Sequence, residues 1–170
     1  MIVGRAICKI FDGMTIDVNA VTVTVKNNMG NQDALDKFIA MSNKRGASKY
    51  PLIFYVTNIV KEFGEWSYCE TDLIIMKNTN TDLLYKDRTD KIYEPYIVPI
   101  YNKIITTLDN NAYFTILETS KVDRYAYTDV ANFGIVKGKP SEKSSSQSVV
   151  TDYVDARIIK INFKIKTNCI

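Results

Sequence analysis

The chain has 170 residues, 46% of them hydrophobic, with 22 basic and 19 acidic side chains and a formal net charge of +3. That length and apolar fraction suffice for one domain with its own core, with no need of disulfides or a metal. The near-balance of charge, without a run of five like charges, speaks against a dedicated nucleic-acid surface, and no run of about 18 apolar residues offers a membrane-spanning helix.

Taken in chain order, Ile2 to Phe11 places apolar residues at helical spacing and predicts a short helix stopped at Gly13. The start, Met1 to Ala6, is too soon interrupted for a signal peptide. From Ala20 to Lys26, Val21, Val23 and Val25 alternate with polar residues, the pattern of a half-buried strand. Asn31 to Arg45 predicts a second helix. Asn31 caps it, Leu35, Phe38 and Ile39 form its apolar face, and Gly46 ends it. The short apolar run Leu52 to Val56, entered through Pro51, predicts a strand covered on both faces. A polar stretch, Lys61 to Trp66, separates it from another strand, Ser67 to Met76.

Asn78 to Asp82 reads as a polar turn, and a third helix follows over Asp90 to Leu108. Pro95 fits its first turn and Pro99 is expected to bend it. Tyr113 to Glu118 predicts a strand, Tyr125 to Val136 fits no single period, and 137–149 is a polar, flexible loop with three consecutive serines. In the last strand Val154, Ala156 and Ile158 hold one phase, while Ile159, Ile161, Phe163 and Ile165 hold the other. The switch predicts either a bulge or a strand passing from one buried environment to another. The elements sum to a single α+β domain, 1–170, with about three helices on a mostly antiparallel sheet.

The chain has no histidine, which removes His-based triads, His-metal sites and imidazole relays together. Cys8, Cys69 and Cys169 are odd in number and far apart, so they suggest packing in a reducing compartment and neither a disulfide framework nor a metal knuckle. All seven glycines are isolated, and Lys137-Gly138-Lys139-Pro140 lacks the context of a phosphate loop. Glu62, Glu65, Glu70 and Asp72 would have to converge to support metal-dependent hydrolysis; a solvated strand edge is the simpler expectation. Asp87 and Asp90, three apart, read as a solvated helix face. Catalysis and cofactors are therefore not expected. Tyr85, Tyr93, Tyr96 and Tyr101 gather around the third helix; Tyr96 and Tyr101 are candidates for a subunit interface, a common setting for tyrosine.

The segment Lys49 to Val56 resembles a strand of small proteins from phages of Bacteroidetes-type hosts. Glu94 to Tyr101 and Val154 to Ile161 match, in the same order, a helical Pro-Ile-Tyr step and a closing strand of those proteins. The layout is similar to tail-terminator and head–tail connector (neck ring) proteins, including those of crAss-like phages. The resemblance implies a structural virion protein, assembled in the host cytoplasm. It would form a homo-oligomeric ring of six or twelve copies beside portal, other neck rings or tail tube, with DNA passing through the lumen without specific readout. On that reading Lys160, Lys164 and Lys166 are candidates for channel or inter-ring contacts. Exposed strand edges and the 137–149 loop would order on contact with neighbours. The competing expectation is a sequence-nonspecific nucleic-acid-binding module.

Overall fold

The computed structural model describes residues 2–40, 49–79, 82–112, 114–117, 125–133 and 153–166. The first helix, α1, spans Ile2–Ile10, and Gly13 beyond it takes a left-handed φ of 70°, the expected stop. Two short strands follow, β1 (Thr15–Val18) and β2 (Val21–Thr24), paired antiparallel as a hairpin outside the main sheet. Its two-residue turn has Asn19 and Ala20 both at positive φ, the type I′ geometry that suits the twist of a hairpin.

Strand β3 (Lys26–Gly30) opens the main sheet, and α2 (Gln32–Ala40) follows it. Strands β4 (Leu52–Phe63) and β5 (Trp66–Asn78) form a long hairpin turning at Gly64, whose φ is 57°. The third helix, α3, is composite. A turn of α-helix at Tyr85–Arg88 leads into a π-helical segment, Thr89–Ile97, and then an α-helix, Val98–Asp109. Strands β6 (Phe114–Ile116), β7 (Tyr127–Phe133) and β8 (Val154–Lys166) complete the order. The six-stranded sheet runs β3-β4-β5-β8-β6, with β7 and β6 sharing the same edge of β8. Among the described residues, only the β3/β4 pair is parallel.

Two cores lie on opposite faces of this sheet. On the first, α1 and α3 cover Ile53, Tyr55, Leu73, Ile75 and the row Ile159, Ile161, Phe163 and Ile165 of β8. On the second, Leu35 and Ile39 of α2 pack with Leu52, Phe54, Val56, Ile74, Met76, Val154 and Ala156. The two faces explain the phase switch at Ile158. The β5/β8 register is unbroken, so no bulge is present between those strands; β8 passes from a half buried on the second face to a half buried on the first.

The structure departs from the sequence reading in several places. The strand expected over Ala20 to Lys26 is two elements: β2 in the hairpin and β3 in the main sheet. Val21 is 62% exposed because it lies at the hairpin tip, and Val25 is the buried one. The polar stretch from Lys61 is mostly strand and tight turn. The third helix begins at Tyr85, so Pro95 sits in the middle of the π-helical segment and Pro99 starts its final α-helical stretch. The widened coil accommodates Pro95, and the Val98 N–H donates five residues back, to the Tyr93 carbonyl. The stretch from Tyr125 resolves into β7. Expectations for 41–48 and for the 137–149 loop lie outside the described residues.

Candidate functional site

Among the described residues, the second face of the sheet is covered only at one end. Register places Trp66, Tyr68, Glu70 and Asp72 of β5 directly opposite Lys166, Lys164, Asn162 and Lys160 of β8, on the same face. Tyr68, Glu70, Lys160 and Asn162 are exposed, and Trp66, Asp72, Lys164 and Lys166 are half-buried. Lys61 of β4 lies opposite Tyr68 and is also exposed. The alternate residues of the same strands, Ser67, Cys69, Ile161, Phe163 and Ile165, point into the first core and are buried. Strict alternation thus produces a cationic row beside an acidic and aromatic row.

Two contacts characterise this patch. Lys164 Nζ lies 4.8 Å from the Trp66 ring centroid, a cation–π arrangement. Lys166 Nζ lies 3.5 Å from Glu65 Oε2, with both side chains substantially exposed. Four lysines face three carboxylates, Glu65, Glu70 and Asp72, so the patch carries almost no net charge. The acids singled out in the sequence do not converge, and among the described residues no group of three His, Cys, Asp or Glu is placed to hold a metal ion.

At the opposite end of β5 and β8 the chemistry is different. Thr79 N–H donates to the Tyr153 carbonyl (2.8 Å), joining the chain just past β5 to the residue before β8. Tyr153 is exposed there, and at the start of α3 Leu84 and Tyr85 are 74% and 87% exposed. Apolar side chains this exposed and adjacent in sequence are informative in a way that scattered ones are not.

Beneath α3, on the first face of the sheet, lies a buried charge cluster that sequence reading missed. Arg88 forms an ion pair with Asp155, with side-chain exposures of 7% and 0%. Arg88 also donates to the Leu83 carbonyl (3.0 Å) and Asn132 Oδ1 (3.2 Å), while Asp155 Oδ1 accepts the Asn132 N–H (3.0 Å). Two residues on, Arg157 binds Asp129 of β7 through both carboxylate oxygens, at 2.7 and 2.8 Å. Burial alone would lower the Arg157 pKa, but these hydrogen bonds and the Asp129 charge hold it above the usual value. Tyr93 nearby is pushed up, by burial first and then by the Asp155 and Asp129 charges. The available signal was Asp155 and Arg157 at inward-facing positions of a strand whose neighbours in that phase are apolar.

The two candidate interface tyrosines are both half-buried within the fold. Tyr101 donates from its hydroxyl to the Tyr125 carbonyl (2.9 Å) and meets Tyr127 edge-on at 5.1 Å, with the Arg157 guanidinium 5.0 Å from its ring. Tyr96 lies under Lys77 Nζ at 4.7 Å. Cys69 is buried and Cys8 is half-buried; burial raises both thiols, Cys69 to about 11. Asp87 pairs with Lys91 one turn on, at 3.3 Å, on an exposed face. No protein-family model matches the chain, and no curated protein matches it.

Proposed function

We propose that this protein is a non-catalytic structural subunit of a homo-oligomeric ring in the neck or tail of a phage, of the tail-terminator or head–tail connector kind. The observation that carries the reading is the pair of unlike exposed surfaces at the two ends of β5 and β8. One is apolar and aromatic, at Leu84, Tyr85 and Tyr153; the other is charge-balanced, along Lys160, Lys164 and Lys166. Along β8 the charged row begins at Lys160, ~23 Å from Tyr153 at ~3.3 Å per residue, and ends at Lys166, ~43 Å away. In a ring the apolar surface meets a different surface of the next copy, a heterologous contact, and the charge-balanced face is left available. The α+β architecture, and the resemblance of three segments, in order, to small proteins of Bacteroidetes-type phages, support the same reading.

Two strand edges carry features that oppose strand addition. Lys26 N–H bonds toward β4, so the Asn27 and Met29 N–H groups face outward from β3; Met29 N–H is already taken by Asn28 Oδ1 (2.8 Å). On β7 the register shifts between Val130 and Phe133, where Asn132 has a φ of 53°. Side-chain capping and bulges both discourage strand addition. The proposed ring accordingly assigns its subunit contacts mainly to side chains.

One observation favours a second reading, a nucleic-acid-binding module. Trp66 and Tyr68 lie on an open strand face beside Lys164 and Lys166, the materials of a stacking platform. The interleaved acids weigh against it, because backbone binding draws on uncompensated cations. Light scattering on the purified full chain tests both. A discrete mass of six or twelve copies, and rings in negative stain, are expected. A monomer at all concentrations together with a salt-sensitive shift of short DNA would replace the ring by the binding module.

A further inference from the structure

The charge-balanced end of the sheet has a property that a surface for an unrelated partner would not need: it is complementary to itself. Its cationic row and its acidic and aromatic row lie side by side on neighbouring strands, in direct register. A two-fold axis parallel to the strands, running between β5 and β8, exchanges the two rows when one sheet is laid over another. Asp72 of one copy then lies over Lys160 of the other, Tyr68 over Lys164 and Trp66 over Lys166. Each contact occurs twice, as isologous contacts must. The attraction of Lys164 for the Trp66 ring within the chain shows the same chemistry at 4.8 Å. We propose that this face docks a second copy of the chain by sheet-on-sheet packing about that axis, in the aligned manner of β-sandwiches.

The contact is small. It offers about eight side chains per copy, against roughly 20–30 on each side of a standard stable interface. Its pairs are exposed or half-exposed, a setting in which each ion pair contributes little and is screened by salt. A single pair of subunits is therefore weakly held. A ring repeats the contact around its circumference, and the linked contacts reinforce one another. The inference thus rests on the ring reading and deepens it: the face joins two rings of this chain back to back, so that a ring of six becomes an assembly of twelve.

Charge reversal with mass measurement on the full chain tests this. Lys160→Glu alone sets a new carboxylate against Asp72 of the other copy, and Asp72→Lys alone sets a new ammonium against Lys160 of the other copy. Each variant is expected to halve the assembled mass at low salt. Mixing the two variants restores attraction at both copies of the contact, so the doubled mass should return on mixing and fall again as NaCl is raised. Melting temperatures of the separate variants establish that each is folded. An even-numbered assembly unaffected by either change, or one not recovered on mixing, overturns the contact and leaves the ring standing. A dimer that the variants split and mixing restores upholds the contact and removes the ring. A chain that stays monomeric at every concentration removes both.

Discussion

Asp155 sits at 0% exposure with one carboxylate oxygen bound to Arg88 and Asn132, and its second oxygen, Oδ2, without a hydrogen-bond partner among the described residues. Burying this pair is costly, and its Coulomb attraction offsets that cost only while both partners are present. Asp155→Ala is expected to destabilise the protein by about 3–5 kcal/mol in urea unfolding, because Arg88 is left buried and uncompensated. Replacing both together, as Arg88→Met with Asp155→Leu, should recover most of that loss. Removing the exposed Lys166–Glu65 pair should cost under ~1 kcal/mol. If Asp155→Ala and Lys166→Ala cost the same, the buried pair does not have the role assigned here. Cys69 makes a pH prediction. Its thiol is pushed by burial from 9.0 to about 11, so the folded protein holds its proton above the pH at which the unfolded chain releases it. The associated stability is complete below pH 9 and is lost as pH rises toward 11, by about 2–3 kcal/mol. Cys69→Val should flatten that alkaline decline in denaturant midpoints measured across the same range; an unchanged slope would show that the thiol is not protected.

Elements were legible in proportion to how local their causes are. The α2 start was readable because Asn31 Oδ1 accepts the Ala34 N–H at 2.9 Å, a cap written within a few consecutive residues. The length of α3 was not, because a π-helical coil breaks the 3.6-residue period: Ile92 and Ile97 are both buried although five residues apart, while Ile97, Ile100, Ile104 and Leu108 keep the ordinary spacing. The β1/β2 hairpin escaped notice for a related reason. Its turn has Ala20 at a φ of 64°, where Asn-Gly would have announced a type I′ turn. Alanine is disfavoured there by roughly 1 kcal/mol, so Ala20→Gly is expected to raise stability by up to about that amount, although glycine elsewhere usually lowers it. A thermal melt in which Ala20→Gly lowers the midpoint would contradict the turn geometry. Gly30 predicts the opposite sign. A Cβ there would meet the Ala34 Cβ at 2.6 Å and the Phe54 ring at 3.3 Å, at the point where β3 hands over to α2. Gly30→Ala should therefore destabilise, by about 1–3 kcal/mol, as an overpacked core position does. The candidate site was legible only in part. The lysine row of β8 follows from simple alternation, whereas its acidic and aromatic partner row depends on β5/β8 register, which a long-range pairing sets.

At the scale of the whole molecule, the proposed ring would have folding and assembly draw on different side chains. The two cores are closed by α1, α3 and α2, yet Leu84 and Tyr85 stand almost clear of the fold at the entrance to α3. Burying an aliphatic side chain that is left exposed is worth ~1.5–3 kcal/mol, and tyrosine is among the residues that most often dominate an interface. Because neither side chain contributes appreciably to the isolated fold, replacing both with serine should leave the unfolding midpoint of the monomer within ~0.5 kcal/mol of the parent. The same double change should weaken the contact between neighbours by ~2 kcal/mol or more, about a 30-fold rise in the concentration needed for assembly. Analytical ultracentrifugation over a concentration series separates the two effects. Assembly shifted to higher concentration with an unaltered midpoint assigns these residues to subunit contact. Unchanged assembly would place the contact elsewhere, and a lowered midpoint would mean that Leu84 and Tyr85 support the fold itself. Pairing this variant with Lys160→Glu is informative for the same reason. Lys160 lies ~23 Å along β8 from Tyr153, at ~3.3 Å per residue, beyond the range of direct coupling, so effects on neighbour contact and on face-to-face stacking should add.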